Sequence, residues 1–376
     1  MADKKKVAVA CQGGGMHVAF AVGVLTEILA DVKDDKFDLV GISGTSAGAL
    51  CALMVGCSLA KNAETTPIAE RAKDAISNLD TFWKNFVAVG LVERTLNDFT
   101  HGVFKFEELE LFGINAPIFA ALNPYGSFYR EFANSLLRFQ VREEYFDLMA
   151  CLKAGCPDFK HVDWDNAPTR VLVGASEVVQ GFETTFDSHL LKTKQKQPVN
   201  NGKIKTNPSS YWRQRLPLSL ESVAASGALP FFSRAQHIDG YGDYWDGLYS
   251  QNPPVREFFD APEDEAGKNL SKKDHLPDEL WIIRINPQQW PHVPNTNKDI
   301  QDRQNELMGN LSLNKELDFI MAVNQWIKDY PDFAKAHKHV TVRTIKMKKR
   351  PLTTCRIRPS STAVASSWMT CAGKAK

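Results

Sequence analysis

Two residue types in this chain are placed to carry acyl-transfer chemistry: a serine set between glycines, and an aspartate followed by a glycine. Gly44-Thr45-Ser46-Ala47-Gly48 fits G-x-S-x-G, a pentapeptide that forms a nucleophile elbow when it lies between a strand and a helix. The sharp turn lifts the serine hydroxyl above the sheet, and glycine at positions 44 and 48 avoids clashes with neighbouring backbone. A helix beginning behind Ser46 also points amide donors at developing negative charge. A plain helix N-cap is the competing reading of the same serine, and the flanking strand and helix favour the elbow. Gly13-Gly14-Gly15 leaves backbone N–H groups able to face an anion, either a phosphate or an acyl-transfer oxyanion. Met16-His17-Val18 does not complete G-x-G-x-x-G and no Walker lysine follows, which disfavours a nucleotide site. A nucleophilic serine needs a base. The 9 histidines are scattered without triad-like spacing, whereas Asp246 in Tyr244-Trp245-Asp246-Gly247-Leu248 ends a predicted strand at a glycine turn. An ordinary Asp-Gly β-turn is the competing reading there.

The elements around these residues have the required form. Val7 to Cys11 is a β-branched run that stops at the glycines, and a helical pattern follows from about Met16 to Leu29. The unit repeats: a buried strand over Phe37 to Ser43, the tight turn around Ser46, and a helix over Ala49 to Leu59. Two successive βα units predict an α/β fold, a three-layer α/β/α sandwich around a largely parallel sheet. Arg170 to Val178, Thr184 to Phe186 and Leu280 to Ile285 are further strands of that sheet. Residues 64–165 are helical in composition and rich in Phe and Trp, predicting a helical insertion. Ile300 to Ile327 is helical, and Asp260 to Asp278 has the charged, glycine-containing character of a surface loop.

With these motifs in order, the chain resembles the patatin-like phospholipases, lipid acyl hydrolases with a Ser-Asp dyad. Gly13-Gly14-Gly15 is similar to the family's oxyanion loop, Gly44 to Gly48 to its elbow, and Asp246-Gly247-Leu248 to its Asp-Gly-Gly or Asp-Gly-Ala motif. Ala225-Ser226-Gly227-Ala228-Leu229-Pro230 and Asn252-Pro253-Pro254 are similar to its flanks of that aspartate. The resemblance covers roughly residues 5–260. It implies Ser46 as nucleophile, Asp246 as general base, oxyanion donors among Gly13, Gly14, Gly15 and Ala47, an acyl-lipid substrate, and neither metal nor cofactor. Two departures stand out: His17 and Val18 replace the usual Arg or Lys and the common Gly, removing fixed positive charge near neutrality, and Leu248 replaces a small residue. Esterase or thioesterase action on soluble acyl groups, or a lipid-binding pseudoenzyme with an impaired oxyanion loop, are the alternatives.

Composition narrows the rest. A hydrophobic share of 43% with 24% charged residues predicts an ordinary globular chain. A net charge of +1 offers no general attraction for nucleic acid. The expected domains are a hydrolase domain over 5–260, an extension over 261–347 packed on it, and a poorly ordered basic tail over 348–376. No acidic residue follows Asp332, which makes that end a candidate for peripheral contact with an anionic membrane surface. The N-terminal apolar run is too short for a secretory or spanning segment, and the 7 cysteines form an odd set without metal-ligand spacing. Reduced thiols and a cytoplasmic location are the resulting expectations.

Overall fold

The computed structural model describes residues 4–86, 148–164, 166–190, 212–230, 233–259, 276–290, 292–295 and 297–347. The chain divides into two compact units, one formed by Met1–Phe82 with Asp147–Lys376 and the other by Trp83–Phe146. Almost all of the second unit lies outside the described residues, as do most of the predicted insertion, most of the predicted loop from Asp260 and the predicted tail.

In chain order the described elements are β1 (Lys6–Cys11), α1 (Ala19–Lys33), β2 (Asp38–Thr45), α2 (Ala47–Ala60), α3 (Ile68–Phe86), α4 (Leu148–Gly155), β3 (Arg170–Glu177), β4 (Glu183–Asp187) and β5 (Arg213–Pro217). Then come α5 (Leu220–Ser226), β6 (Gln236–Ile238), β7 (Gly242–Asp246), β8 (Glu279–Arg284), α6 (Asn297–Asp329), α7 (Pro331–Ala336) and β9 (Thr341–Lys346). The sheet runs β5-β4-β3-β2-β1-β8-β9, with β7 also on β3 and β6 on β7. From β3 through β9 every pairing along that path is parallel. β4 is antiparallel to β3, and so is β7.

Burial explains the order. Val7, Ala8, Val9, Ala10 and Cys11 are completely buried, as a central strand covered on both faces must be. α1 buries Ala21, Leu25, Ile28, Leu29 and Val32, the single stripe of an amphipathic helix. α2 instead buries residues on all sides, including Ala49, Leu53 and Val55, so it is an internal helix directly behind Ser46. On the α6 face, Ala8, Leu172, Val255, Phe258, Ile282, Leu313 and Ile320 form a continuous core. Residues 297–347 therefore contribute to the same core as the first two βα units.

The thiols require a correction. Cys57 at the end of α2 is joined to Cys156 after α4 by a disulfide, with Cα atoms 6.5 Å apart. Among the described residues, Cys11, Cys51 and Cys151 are not in a disulfide. A sequence separation of 99 residues hides this pairing from a motif search, and thiol content no longer argues for a reducing compartment. Among the described residues, no helix is long and apolar enough to cross a membrane.

Candidate active site

The two candidate residues meet because β3 carries two partners along one edge. β2 pairs with β3 up to Thr45 opposite Gly174. There β2 ends at Ser46, and β7 takes over the same edge with Asp246 opposite Ala175. The terminus of β2 and the terminus of β7 thus abut, although 200 residues separate them in sequence. No local pattern announces that adjacency.

Ser46 occupies the turn between β2 and α2 with φ 55° and ψ −129°, a left-handed conformation that costs a non-glycine residue of order 1–3 kcal/mol. Close packing imposes it. A Cβ at Gly44 would lie 2.1 Å from the Gly48 carbonyl oxygen, and one at Gly48 would lie 2.4 Å from that of Cys11. The glycines of the elbow are therefore required by backbone-to-backbone contact between β1, β2 and α2. The Ser46 N–H donates to Ser226 Oγ at 2.9 Å, and that hydroxyl donates to the Gly174 carbonyl at 2.6 Å. Ser226, completely buried at the end of α5, thus ties the elbow to β3. In the sequence it stood only as part of a flank, with no role.

Asp246 is completely buried, whereas Ser46 is partly accessible. Burial raises the Asp246 pKa from its usual range to about 7, opposed by the nearby Ser46 hydroxyl and by the Leu248 N–H. The Leu248 N–H donates to Oδ1 at 2.8 Å. The Ser46 hydroxyl is near enough to favour the ionised carboxyl, yet Oδ2 has no hydrogen bond of ordinary geometry. That oxygen is the one left to take a proton. Trp245 does not form part of the apolar surround of Asp246: it points away by strand alternation and is 37% exposed. Gly247 is fixed instead by contact, since a Cβ there would lie 2.5 Å from the Gly174 carbonyl oxygen.

The glycine loop lies against the elbow. A Cβ on Gly13 would fall 2.4 Å from the Thr45 carbonyl oxygen and 2.9 Å from Ser46 Cβ. Its N–H, however, donates to Asn252 Oδ1 at 2.6 Å, so Gly13 cannot serve as an oxyanion donor. The N–H groups of Gly14, Gly15 and Ala47 have no hydrogen-bond acceptor among the described residues. Gly15, with φ +55° and open space around its Cβ position, starts a turn in which the His17 N–H donates to the Gly14 carbonyl at 3.2 Å. The His17 side chain is exposed, and Val18 behind it is completely buried.

Gln12, completely buried, was not singled out from sequence. Its Nε2 donates to the Gly309 carbonyl at 3.0 Å and to Asn310 Oδ1 at 2.9 Å. Its Oε1 accepts from the N–H groups of Ile285 at 3.0 Å and Asn286 at 2.9 Å. All four bonds available to a primary amide are made, joining the end of β1 to β8 and α6. A glutamine before a glycine run gives no sign of this, because its partners lie more than 270 residues away.

A cleft of about 310 Å³ opens beyond Leu248, with Tyr249, Met308 and Leu311 as its apolar side and Glu183, Arg213, Lys315 and Glu316 as its charged side. Neither Ser46 nor Asp246 lines it, so it is not where an ester carbonyl would react. Among the described residues, no cluster of His, Cys, Asp and Glu is arranged to hold a metal ion.

Comparison with known proteins matches the patatin-like phospholipase family model to residues 9–259. No curated protein matches the chain. Among solved structures, VipD from Legionella pneumophila is 13% identical, with 94% of this chain and 64% of that one covered at a TM-score of 0.30. The ExoU–SpcU complex of the Pseudomonas aeruginosa type III secretion system is 14% identical, with 84% and 52% covered and a TM-score of 0.24. The chain thus spans under two thirds of the length of either.

Proposed function

Because this chain belongs to the patatin-like phospholipase family, we propose that it is a lipid acyl hydrolase in which Ser46 and Asp246 form the catalytic dyad. The observation that carries this reading is a partly accessible serine, held in a left-handed elbow, beside a completely buried carboxyl whose second oxygen has no other hydrogen bond. Ser46 Oγ would attack the ester carbonyl while Asp246 Oδ2 takes its proton. The same carboxyl then returns that proton to the departing alkoxide. Water, deprotonated by Asp246, then attacks the acyl carbon; the bond to Ser46 Oγ breaks, the fatty acid leaves, and Asp246 returns the proton to Oγ.

The N–H groups of Gly14, Gly15 and Ala47 are the donors for the tetrahedral oxyanion. Each well-aimed donor contributes roughly 3–4 kcal/mol to such a transition state. Fixed backbone dipoles supply this stabilisation, so an exposed His17 in place of a permanent cation does not disable the loop. Membership of the patatin-like phospholipase family supports an acyl-lipid rather than a small polar substrate, and a peripheral encounter with a lipid surface follows from that substrate class.

Turnover of a p-nitrophenyl ester series and of a labelled phospholipid tests the reading. Wild type is expected to favour longer acyl chains, and Ser46→Ala and Asp246→Ala to lose at least about 10³-fold in kcat. Preference for the shortest ester with no phospholipid cleavage would instead assign a soluble-ester hydrolase. Equal rates in wild type and both variants would remove the dyad.

A further inference from the structure

The oxyanion loop depends for its orientation on a residue outside it. Asn252 is completely buried, and its carboxamide engages both backbone polar groups of Gly13. Oδ1 accepts the Gly13 N–H at 2.6 Å, and Nδ2 donates to the Gly13 carbonyl at 3.3 Å. Asn286 Nδ2 supports the same carbonyl at 3.4 Å. The Gly13 carbonyl and the Gly14 N–H belong to one planar trans peptide and point in opposite directions. Holding the carbonyl therefore fixes the direction of the Gly14 N–H.

The neighbouring residue ties down the nucleophile's side. Thr45, which precedes Ser46, donates its hydroxyl to the Gln251 carbonyl at 2.8 Å. Gln251 and Asn252 thus anchor the elbow and the oxyanion loop to one short segment. That segment is fixed in turn to α6, where the Asn252 N–H donates to Ser312 Oγ at 3.1 Å.

We infer that Asn252 is a positioning residue that sets the Gly14 N–H relative to Ser46, an inference that rests on the dyad and oxyanion roles proposed above. Asn324 provides an internal control. Its side chain clamps one residue in the same way, donating to the Val340 carbonyl at 2.8 Å and accepting the Val340 N–H at 3.0 Å. That clamp joins the far part of α6 to the segment before β9. Asn252→Ala and Asn324→Ala remove equivalent pairs of hydrogen bonds, only one of them at the loop.

Steady-state hydrolysis of a soluble p-nitrophenyl ester, with melting temperatures, separates the roles. Both variants are expected to melt below wild type. Asn252→Ala should lose roughly 10- to 100-fold in kcat with KM within about threefold, while Asn324→Ala keeps its kcat. Should Asn252→Ala not fold, Asn252→Asp retains the acceptor for the Gly13 N–H, loses the donor to its carbonyl when ionised, and is expected to show the same selective kcat loss. Equal kcat losses at Asn252 and Asn324, or an Asn252 variant with wild-type kcat, would overturn the inference while Ser46→Ala remains inactive. Turnover surviving in Ser46→Ala would overturn the dyad reading, and the inference with it.

Discussion

The burial of Asp246 ties stability to pH, and the dependence has a definite sign. Burial holds its folded-state pKa at about 7, well above that of an unfolded aspartate near 4. The folded protein thus binds this proton more tightly than the unfolded chain does. Stability from this group is fully present below about pH 4 and is lost as pH rises through about 7. Asp246→Asn removes the titration, so its melting temperature should gain on wild type between pH 5 and pH 8. Parallel melting curves across that range would show that Asp246 is not buried as a titrating acid. Ser46 and Asp246 were legible in sequence as candidates, one through glycine spacing and the other through a strand-end Asp-Gly. The engaged Gly13 N–H was not, since its acceptor is a side chain far along the chain.

At the scale of elements, α6 serves the site without supplying a reacting group. Gly309 marks its closest approach: a Cβ there would lie 2.5 Å from Asn286 Nδ2 and 3.0 Å from both Asn252 Nδ2 and Leu248 Cδ1. In an exposed helix, Gly→Ala gains about 1 kcal/mol of helix propensity. Here the added methyl pushes into Asn286 and Asn252, whose side chains hold Gly13 in the glycine loop. Gly309→Ala is expected to lower both the melting temperature and kcat, and a variant that is more stable with unchanged kcat would refute that packing. The two βα units and the helical character of α6 were readable because their apolar patterns are strong and local. The positions of β7 and β9 were less so. The Thr341–Lys346 strand is short, basic and largely exposed, and β7 gains its place only through the second partner on the β3 edge.

For the whole molecule, the region matching the family ends at residue 259, but the fold does not. β8 lies beside β1 with Val7 opposite Glu279 and Cys11 opposite Ile283. The two residues that follow β8, together with α6, provide every partner of the Gln12 side chain. A chain ending after Phe259 would expose one edge of β1, uncover Ala8 and Ala10, and leave a buried glutamine without its four bonds. It is expected to lack the near-ultraviolet circular dichroism and cooperative melting of the full chain. Cooperative unfolding by the truncated chain would show that residues 260–376 are an independent appendage. The hold of this region on the glycine loop was not legible in the sequence, because those contacts are hydrogen bonds of unremarkable Gln and Asn residues.

The most direct test of the dyad is the site and pH dependence of labelling by a fluorophosphonate, which mimics the tetrahedral intermediate on a nucleophilic serine. Intact-mass and peptide-mass analysis should find one adduct, on Ser46, formed at a rate that rises as pH increases through about 7. Asp246→Asn should abolish that rise and slow labelling by at least about 10²-fold. An adduct on another serine, or an Asp246→Asn protein labelled at the wild-type rate, would contradict the account.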